Sequence, residues 1–295
     1  MRSLSVKRVI AIILVLAVLA AGVIAFTVLN KKPSEILPVA KPEVVLSGPT
    51  RAVIGRSVGG REITAHTYGT GTKHLVFVGG VHGGYEWNSV LLPYEFMDYL
   101  DANPEVVPKN LTVTVIPSAN PDGVYKVTGK DGRFTESDVS TDKEILASGR
   151  FNANKVDLNR NFDCKWQPKS MWQSKTVSAG TGAFSEPEAK AVQSFVLEHT
   201  PVAVVFWHSK ANAVYASECE KGILSETLDI MNAYAKASGY TAVKSFDSYE
   251  VTGDAEGWLA SINIPAITVE LKTHETVEWE RNLAGIKALF EYYRQ

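Results

Sequence analysis

His74-Leu75-Val76-Phe77-Val78-Gly79-Gly80-Val81-His82-Gly83-Gly84-Tyr85-Glu86-Trp87 is the stretch on which the fold turns. Its first five residues are short, apolar and followed by glycines, the pattern of a buried strand. His82 and Glu86 stand just beyond the strand's exit, four residues apart. An imidazole and a carboxylate so placed can reach one small cation, and they are two of the three protein ligands a catalytic zinc usually takes. By themselves they fit a polar loop without metal equally well.

Outward from this stretch, strand-like and helix-like segments alternate. Residues 63–68, 75–81, 111–116, 203–207 and 267–271 have strand character, whereas 87–100, 188–198, 224–237 and 277–293 show helical spacing. Ser185-Glu186-Pro187-Glu188 predicts a helix start, with Ser185 as cap and proline in the first turn. Residues 124–149, polar and rich in Gly, Asp, Ser and Thr, predict a long loop on the rim of a site. The alternation predicts one α/β domain, a mixed and mostly parallel sheet with helices on both faces.

The 295 residues suffice for one sizeable domain with a short appendage. Residues 9–29 form an apolar run long enough to cross a bilayer as a helix, with Arg2, Lys7 and Arg8 before it and Lys31 and Lys32 after it. The expectation is a cytoplasmic stub and transmembrane anchor over 1–32, a Pro-containing linker over 33–50 and a catalytic domain over 51–295. That domain is extracytoplasmic, or secreted if the amino-terminal segment is a cleaved signal peptide. Without residues 1–32 the 30 basic residues fall by five to 25, against 32 acidic, a net charge of −7. No basic patch points to nucleic acid. Cys164 and Cys219 lie in the exported part, where a bridge can persist, although two free thiols fit the sequence as well. A monomer is expected.

Three later segments complete the pattern: Asp157-Leu158-Asn159-Arg160-Asn161-Phe162, Phe206-Trp207-His208-Ser209 and Thr268-Val269-Glu270-Leu271. With the His82–Glu86 stretch, and in this order, they resemble the zinc carboxypeptidases of the M14 type over roughly residues 50–295. The resemblance implies one Zn2+ held by His82, Glu86 and His208, with Asp157 orienting His82. The family spacing is His-x-x-Glu, whereas here Glu86 lies one residue further on. The intervening glycines allow the loop to bulge.

The same resemblance gives Asn159 and Arg160 the substrate's terminal carboxylate, a task suited to a planar guanidinium. Arg150 takes the role of polarising the scissile carbonyl. Glu270, ending an apolar run, becomes the general base, since a carboxylate there is costly to bury without purpose. Tyr249 matches the tyrosine that closes over bound substrate. Glu256 falls where the family sets side-chain preference, which implies a cationic side chain, such as that of lysine, arginine or diaminopimelate. The implied activity is hydrolysis of a peptide bond next to a free carboxylate, on a peptide or a peptidoglycan peptide, without proteolytic activation. Two alternatives stand beside it: a cell-wall amidase acting at a γ-D-glutamyl–diamino acid bond, and a peptide-binding protein without catalysis.

Overall fold

Four apolar runs of the sequence become the four central strands of a single sheet, and alternate residues of each feed two separate cores. The computed structural model describes residues 6–29 and 48–294. The chain divides into two units, 1–45 and 46–295. The first contains one helix, α1 (Val6–Leu29). Among the described residues no helix is long and apolar enough to cross a membrane. The transmembrane span expected over 9–29 is therefore not supported: the side chains at 7–9, 12, 24, 25 and 27–29 lie outside the described set. The expected linker falls almost wholly outside it as well.

The second unit begins with β1 (Thr50–Arg56), β2 (Glu62–Gly69) and β3 (Lys73–Val78), followed by α2 (Asn88–Ala102) and β4 (Leu111–Ile116). Then come α3 (Pro121–Thr128), α4 (Lys143–Ser148) and a small hairpin of β5 (Lys169–Trp172) and β6 (Lys175–Ser178). The chain continues through α5 (Pro187–His199), β7 (Ala203–Ser209), β8 (Ala213–Ala216), α6 (Ser225–Ser238) and β9 (Thr241–Val243). It ends with α7 (Ala255–Ser261), β10 (Ala266–Leu271) and α8 (Trp279–Arg294). The eight-stranded sheet has the order β1-β2-β4-β3-β7-β10-β8-β9. Its centre, β4-β3-β7-β10, is parallel; β1, β2 and β8 run antiparallel to their inner neighbours.

Side chains alternate across a strand. Leu75, Phe77, Val205, Trp207, Ile267 and Val269 therefore pack with α2, α6 and α8 on one face. Val76, Val78, Val204, Phe206 and Ala266 pack with α5 and α7 on the other. This is the expected sheet with helices on both faces. The loop expected over 124–149 instead contains α4 and most of α3, both too short to leave a clear periodicity. Ser185 is not the cap of α5: Glu186 holds that position, Pro187 opens the helix, and Ser185 Oγ donates to Glu186 Oε1 at 2.8 Å.

β3 and β7 are neighbours whose following connections leave toward opposite edges of the sheet. Such a crevice, at the carboxyl ends of parallel strands, is where open α/β sheets place their sites.

Candidate metal centre and substrate cleft

The loop leaving β3 turns sharply at Gly80 and Gly83, both with positive φ (61° and 48°), a conformation other residues adopt only with strain. A 3-10 turn, Gly83–Glu86, then folds Glu86 back onto His82. The extra residue in the His82–Glu86 spacing is absorbed there. His82 Nδ1 lies 2.8 Å from Glu86 Oε1, and His208 Nδ1 lies 3.1 Å from both His82 Nδ1 and Glu86 Oε2. The three ligand atoms lie within 4.8 Å of one another, on buried side chains.

These residues fit zinc. Two nitrogens each roughly 2.0–2.1 Å from a tetrahedral zinc stand roughly 3.3 Å apart, close to what is found. Each imidazole also has its other nitrogen facing a carboxylate, the arrangement that fixes tautomer and orientation in metal sites. His82 Nε2 is 3.5 Å from Asp157 Oδ1, and His208 Nε2 is 3.2 Å from Glu256 Oε1. Among the described residues, eight buried side-chain polar atoms lack a hydrogen-bond partner, and four belong to this site: His82 Nε2, His208 Nε2, Glu256 Oε1 and Glu270 Oε2. The first three of these stand in the imidazole–carboxylate approaches just described, outside hydrogen-bond geometry, whereas Glu270 Oε2 has no polar partner at all, which is costly in a core.

The electrostatics follow from packing charges together out of water. Burial alone would raise Glu86, but the imidazoles of His82 and His208 hold its carboxyl well below the usual range. Burial opposes charge on His208, yet Glu256 and Glu86 raise it well above the ordinary histidine value. Asp157 is likewise held low against its burial, chiefly by Arg150 and His82. Glu270 goes the other way: burial, then the nearby negative charge of Glu86, push it up to about 8.

Glu270 and His208 are register partners on the parallel strands β10 and β7, so the structure sets the carboxylate beside a candidate metal ligand. A cleft of about 560 Å3 opens over them and is also lined by Arg150, Asn159, Arg160 and Tyr249. Asn159 Oδ1 accepts from Ala255 N at 2.9 Å, anchoring it to α7. Arg160 gives Nε and one terminal nitrogen to Met171 O and its other terminal nitrogen to Asn159 O. Three of its five N–H groups are thus engaged and one remains on each terminal nitrogen. Arg150 is buried: its Nε donates to Asp157 Oδ2 at 2.8 Å and its guanidinium lies 4.7 Å from the Trp172 ring centroid. Tyr249 is half-buried, its ring 4.8 Å from that of Phe246.

Glu256 lines the cleft, and its carboxylate has a neighbour that the sequence did not reveal. His208 and Glu270 share the sheet face covered by α7, so the Glu256 carboxylate meets His208 and is nearly fully buried. Asp254 lines the cleft as well, within electrostatic reach of Arg160; it caps α7 through Gly257 N and is pushed up to about 6 by burial and Glu256.

Four residues went unread in the sequence: Asn88, Trp172, Ser209 and His274. Ser209 N donates to Glu86 Oε2 at 3.2 Å, while Ser209 Oγ lies 2.9 Å from Asn88 Oδ1 and 2.7 Å from His274 Nδ1. Ser209 directly follows a proposed ligand, which was a usable signal; Asn88, Trp172 and His274 carried none.

The zinc carboxypeptidase family model, peptidase M14, matches residues 47–284. The chain belongs to the M14 zinc carboxypeptidase family. It is 24% identical over 238 residues to gamma-D-glutamyl-L-diamino acid endopeptidase 1 of Lysinibacillus sphaericus, covering 74% of this chain and 59% of the relative. It is 28% identical over 240 residues to carboxypeptidase B of Helicoverpa zea, covering 74% and 55%. The chain thus spans little more than half the length of these curated relatives. Among solved structures, it is similar in fold to murein-tripeptide amidase MpaA from Escherichia coli O157, with a TM-score of 0.59, 22% identity, and 84% of this chain and 94% of that one covered. It is also similar to bovine thrombin-activatable fibrinolysis inhibitor, with a TM-score of 0.63, 20% identity, and coverage of 84% and 89%.

Proposed function

We propose that this member of the family is a one-zinc metallocarboxypeptidase that hydrolyses the peptide bond next to a free terminal carboxylate. The observation that carries the reading is the sharing of one cleft by the His82–Glu86–His208 cluster, Glu270 and the Asn159–Arg160 pair. His82, Glu86 and His208 would hold the ion. Zinc, when bound, supplies Lewis-acid activation of water and of the scissile carbonyl. Arg160 offers its two free N–H groups to the substrate carboxylate, and Asn159 stands beside it. Glu270 takes the proton from the attacking water and returns it to the leaving amine. Arg150, held by Asp157, carries the positive charge that the developing oxyanion needs. Tyr249 covers the mouth.

Asp254, in the same cleft and within electrostatic reach of Arg160, favours a second reading of substrate. A carboxylate in one cleft with a carboxylate-binding arginine suits an end group with both an amine and a carboxyl, such as a diamino acid. That is compatible with a peptidoglycan peptide and an amidase-type cut, the activity that the names of the Lysinibacillus and Escherichia proteins describe for them. The bridge between Cys164 and Cys219 supports an exported enzyme.

The test is zinc stoichiometry together with turnover of peptides differing only at the carboxyl end. Glu270→Gln is expected to keep the zinc and lose on the order of 10²–10⁴ in kcat. Retention of turnover by that variant, or dependence on no metal, would sink the reading. A preference for γ-D-glutamyl–diamino acid peptides over ordinary ones selects the second substrate class.

A further inference from the structure

The hydrogen bonds around Ser209 fix the proton of a histidine that the mechanism does not use. Asn88 Nδ2 donates to Thr273 O and Thr276 O, and Asn88 Oδ1 accepts from Ser89 N at 3.1 Å. The oxygen of this amide is therefore the atom facing Ser209, and the single hydroxyl proton of Ser209 goes to it. The 2.7 Å contact between Ser209 Oγ and His274 Nδ1 then needs a proton from the imidazole. His274 is the Nδ1–H tautomer, and its Nε2 keeps a free lone pair.

That second nitrogen is not among the buried partnerless atoms, and His274 lines the cleft with its ring 4.9 Å from that of Tyr85. Burial holds the ring below the ordinary histidine range, which keeps the lone pair available.

Position tells which part of a substrate it meets. Glu86 touches the His274 side of the site through Ser209 N, whereas His208 touches the α7 side through Glu256. Asn159 and Arg160 belong to the α7 side, through Ala255 and the approach to Asp254. The candidate ligand trio is thus joined to Ser209, the partner of His274, through Glu86, and to α7 through His208. If the terminal carboxylate lies at Arg160 and the scissile bond at the trio, the acyl part of the substrate extends toward His274.

We infer that His274 is a specificity-determining residue: its Nε2 accepts a hydrogen bond from an N–H donor on the acyl side of the scissile bond. The inference rests on the proposed orientation of substrate and adds the side-chain contact that reads the acyl part.

The experiment uses paired peptides, one with the acyl-side amide N–H and one N-methylated there, on the zinc-loaded protein. Binding is measured on the Glu270→Gln variant and turnover on the unaltered enzyme, each with and without His274→Asn or His274→Gln. Asn places its amide where Nδ1 stands and keeps the bond to Ser209; Gln places a polar atom near Nε2. One hydrogen bond predicts that N-methylation weakens binding roughly 3- to 10-fold, that His274→Asn abolishes this discrimination and that His274→Gln retains part of it. Discrimination that survives His274→Asn overturns the assignment, as does damage confined to His274→Gln, which marks a purely structural role. Discriminating binding without turnover refutes the proposed activity and leaves His274 standing; absence of both refutes the two together.

Discussion

Glu256 separates two kinds of residue that look alike in a sequence. As a pocket acid it would change which side chain is accepted; as the carboxylate behind His208 it changes how firmly the imidazole is held. Its burial and the 3.2 Å approach to His208 Nε2 support the second role. Glu256→Gln is therefore expected to weaken zinc affinity roughly 10- to 100-fold, with the ranking of peptides by terminal residue unchanged. Competition with a chromophoric chelator reads the affinity, and a switch in peptide ranking at constant zinc affinity would restore the pocket role. The proposed ligands His82, Glu86 and His208 were legible only through four motifs standing in one order, since a histidine and a glutamate this close are commonplace by themselves. Asn88, Ser209 and His274 were not, because a polar network is defined by partners distant in sequence and each member alone looks like ordinary loop composition.

At the scale of elements, legibility followed burial. β3, β4, β7 and β10 were found within a few residues because strands covered on both faces read as largely apolar runs. β1, β8 and β9 were missed for different reasons: β1 is broken up by Thr50, Arg51, Gly55 and Arg56, whereas β8 and β9, of four and three residues, are too short to show a periodicity. β3 also brings a histidine into the interior: His74 faces α5, where its Nε2 lies 2.7 Å from Thr114 Oγ1 of β4 and its ring 5.4 Å from that of His199. Burial, and secondarily His199, push His74 down to about 4 from 6.5. Between those values the unfolded chain binds the proton and the folded chain does not, so stability rises with pH. The contribution is complete above about 6.5 and drains away as pH falls toward about 4. His74→Gln retains an atom able to reach Thr114 and removes the titration. Chemical denaturation at pH 7 and pH 5 should show the unaltered protein losing on the order of 1 kcal/mol more than the variant. Equal losses would show that His74 does not titrate in this window.

Across the second unit, β7 and β10 supply the proposed ligand His208 and the proposed base Glu270, while loops at the carboxyl edge of the sheet carry His82, Glu86 and the proposed substrate contacts. The loops need their own restraint. The turn carrying Asn159 and Arg160 runs into Phe162, whose N donates to Gly253 O, and Cys164, whose carbonyl accepts from Gly253 N at 2.7 Å. Cys164 is bonded to Cys219, 55 residues away in sequence and just beyond β8. Both cysteines are buried against Ala260, close to the cleft but away from the ligand trio. A bridge closing a loop of this length restrains the unfolded chain by about 4 kcal/mol on the chain-entropy model, with 2–4 kcal/mol typical of what is measured. Replacing both cysteines by alanine should lower the unfolding free energy by roughly that amount. Zinc content should be unchanged, because none of the three proposed ligands touches the bridge. KM should rise more than kcat falls, since the loop proposed to hold the substrate carboxylate loses a tether while Glu270 and His208 stay fixed in adjacent strands. Denaturation under oxidising and reducing conditions, paired with steady-state kinetics of the double variant, checks both parts. An unfolding midpoint indifferent to reductant would mean that the sheet alone orders the cleft, and a loss confined to kcat would mean that the bridge supports the chemistry and not the substrate clamp.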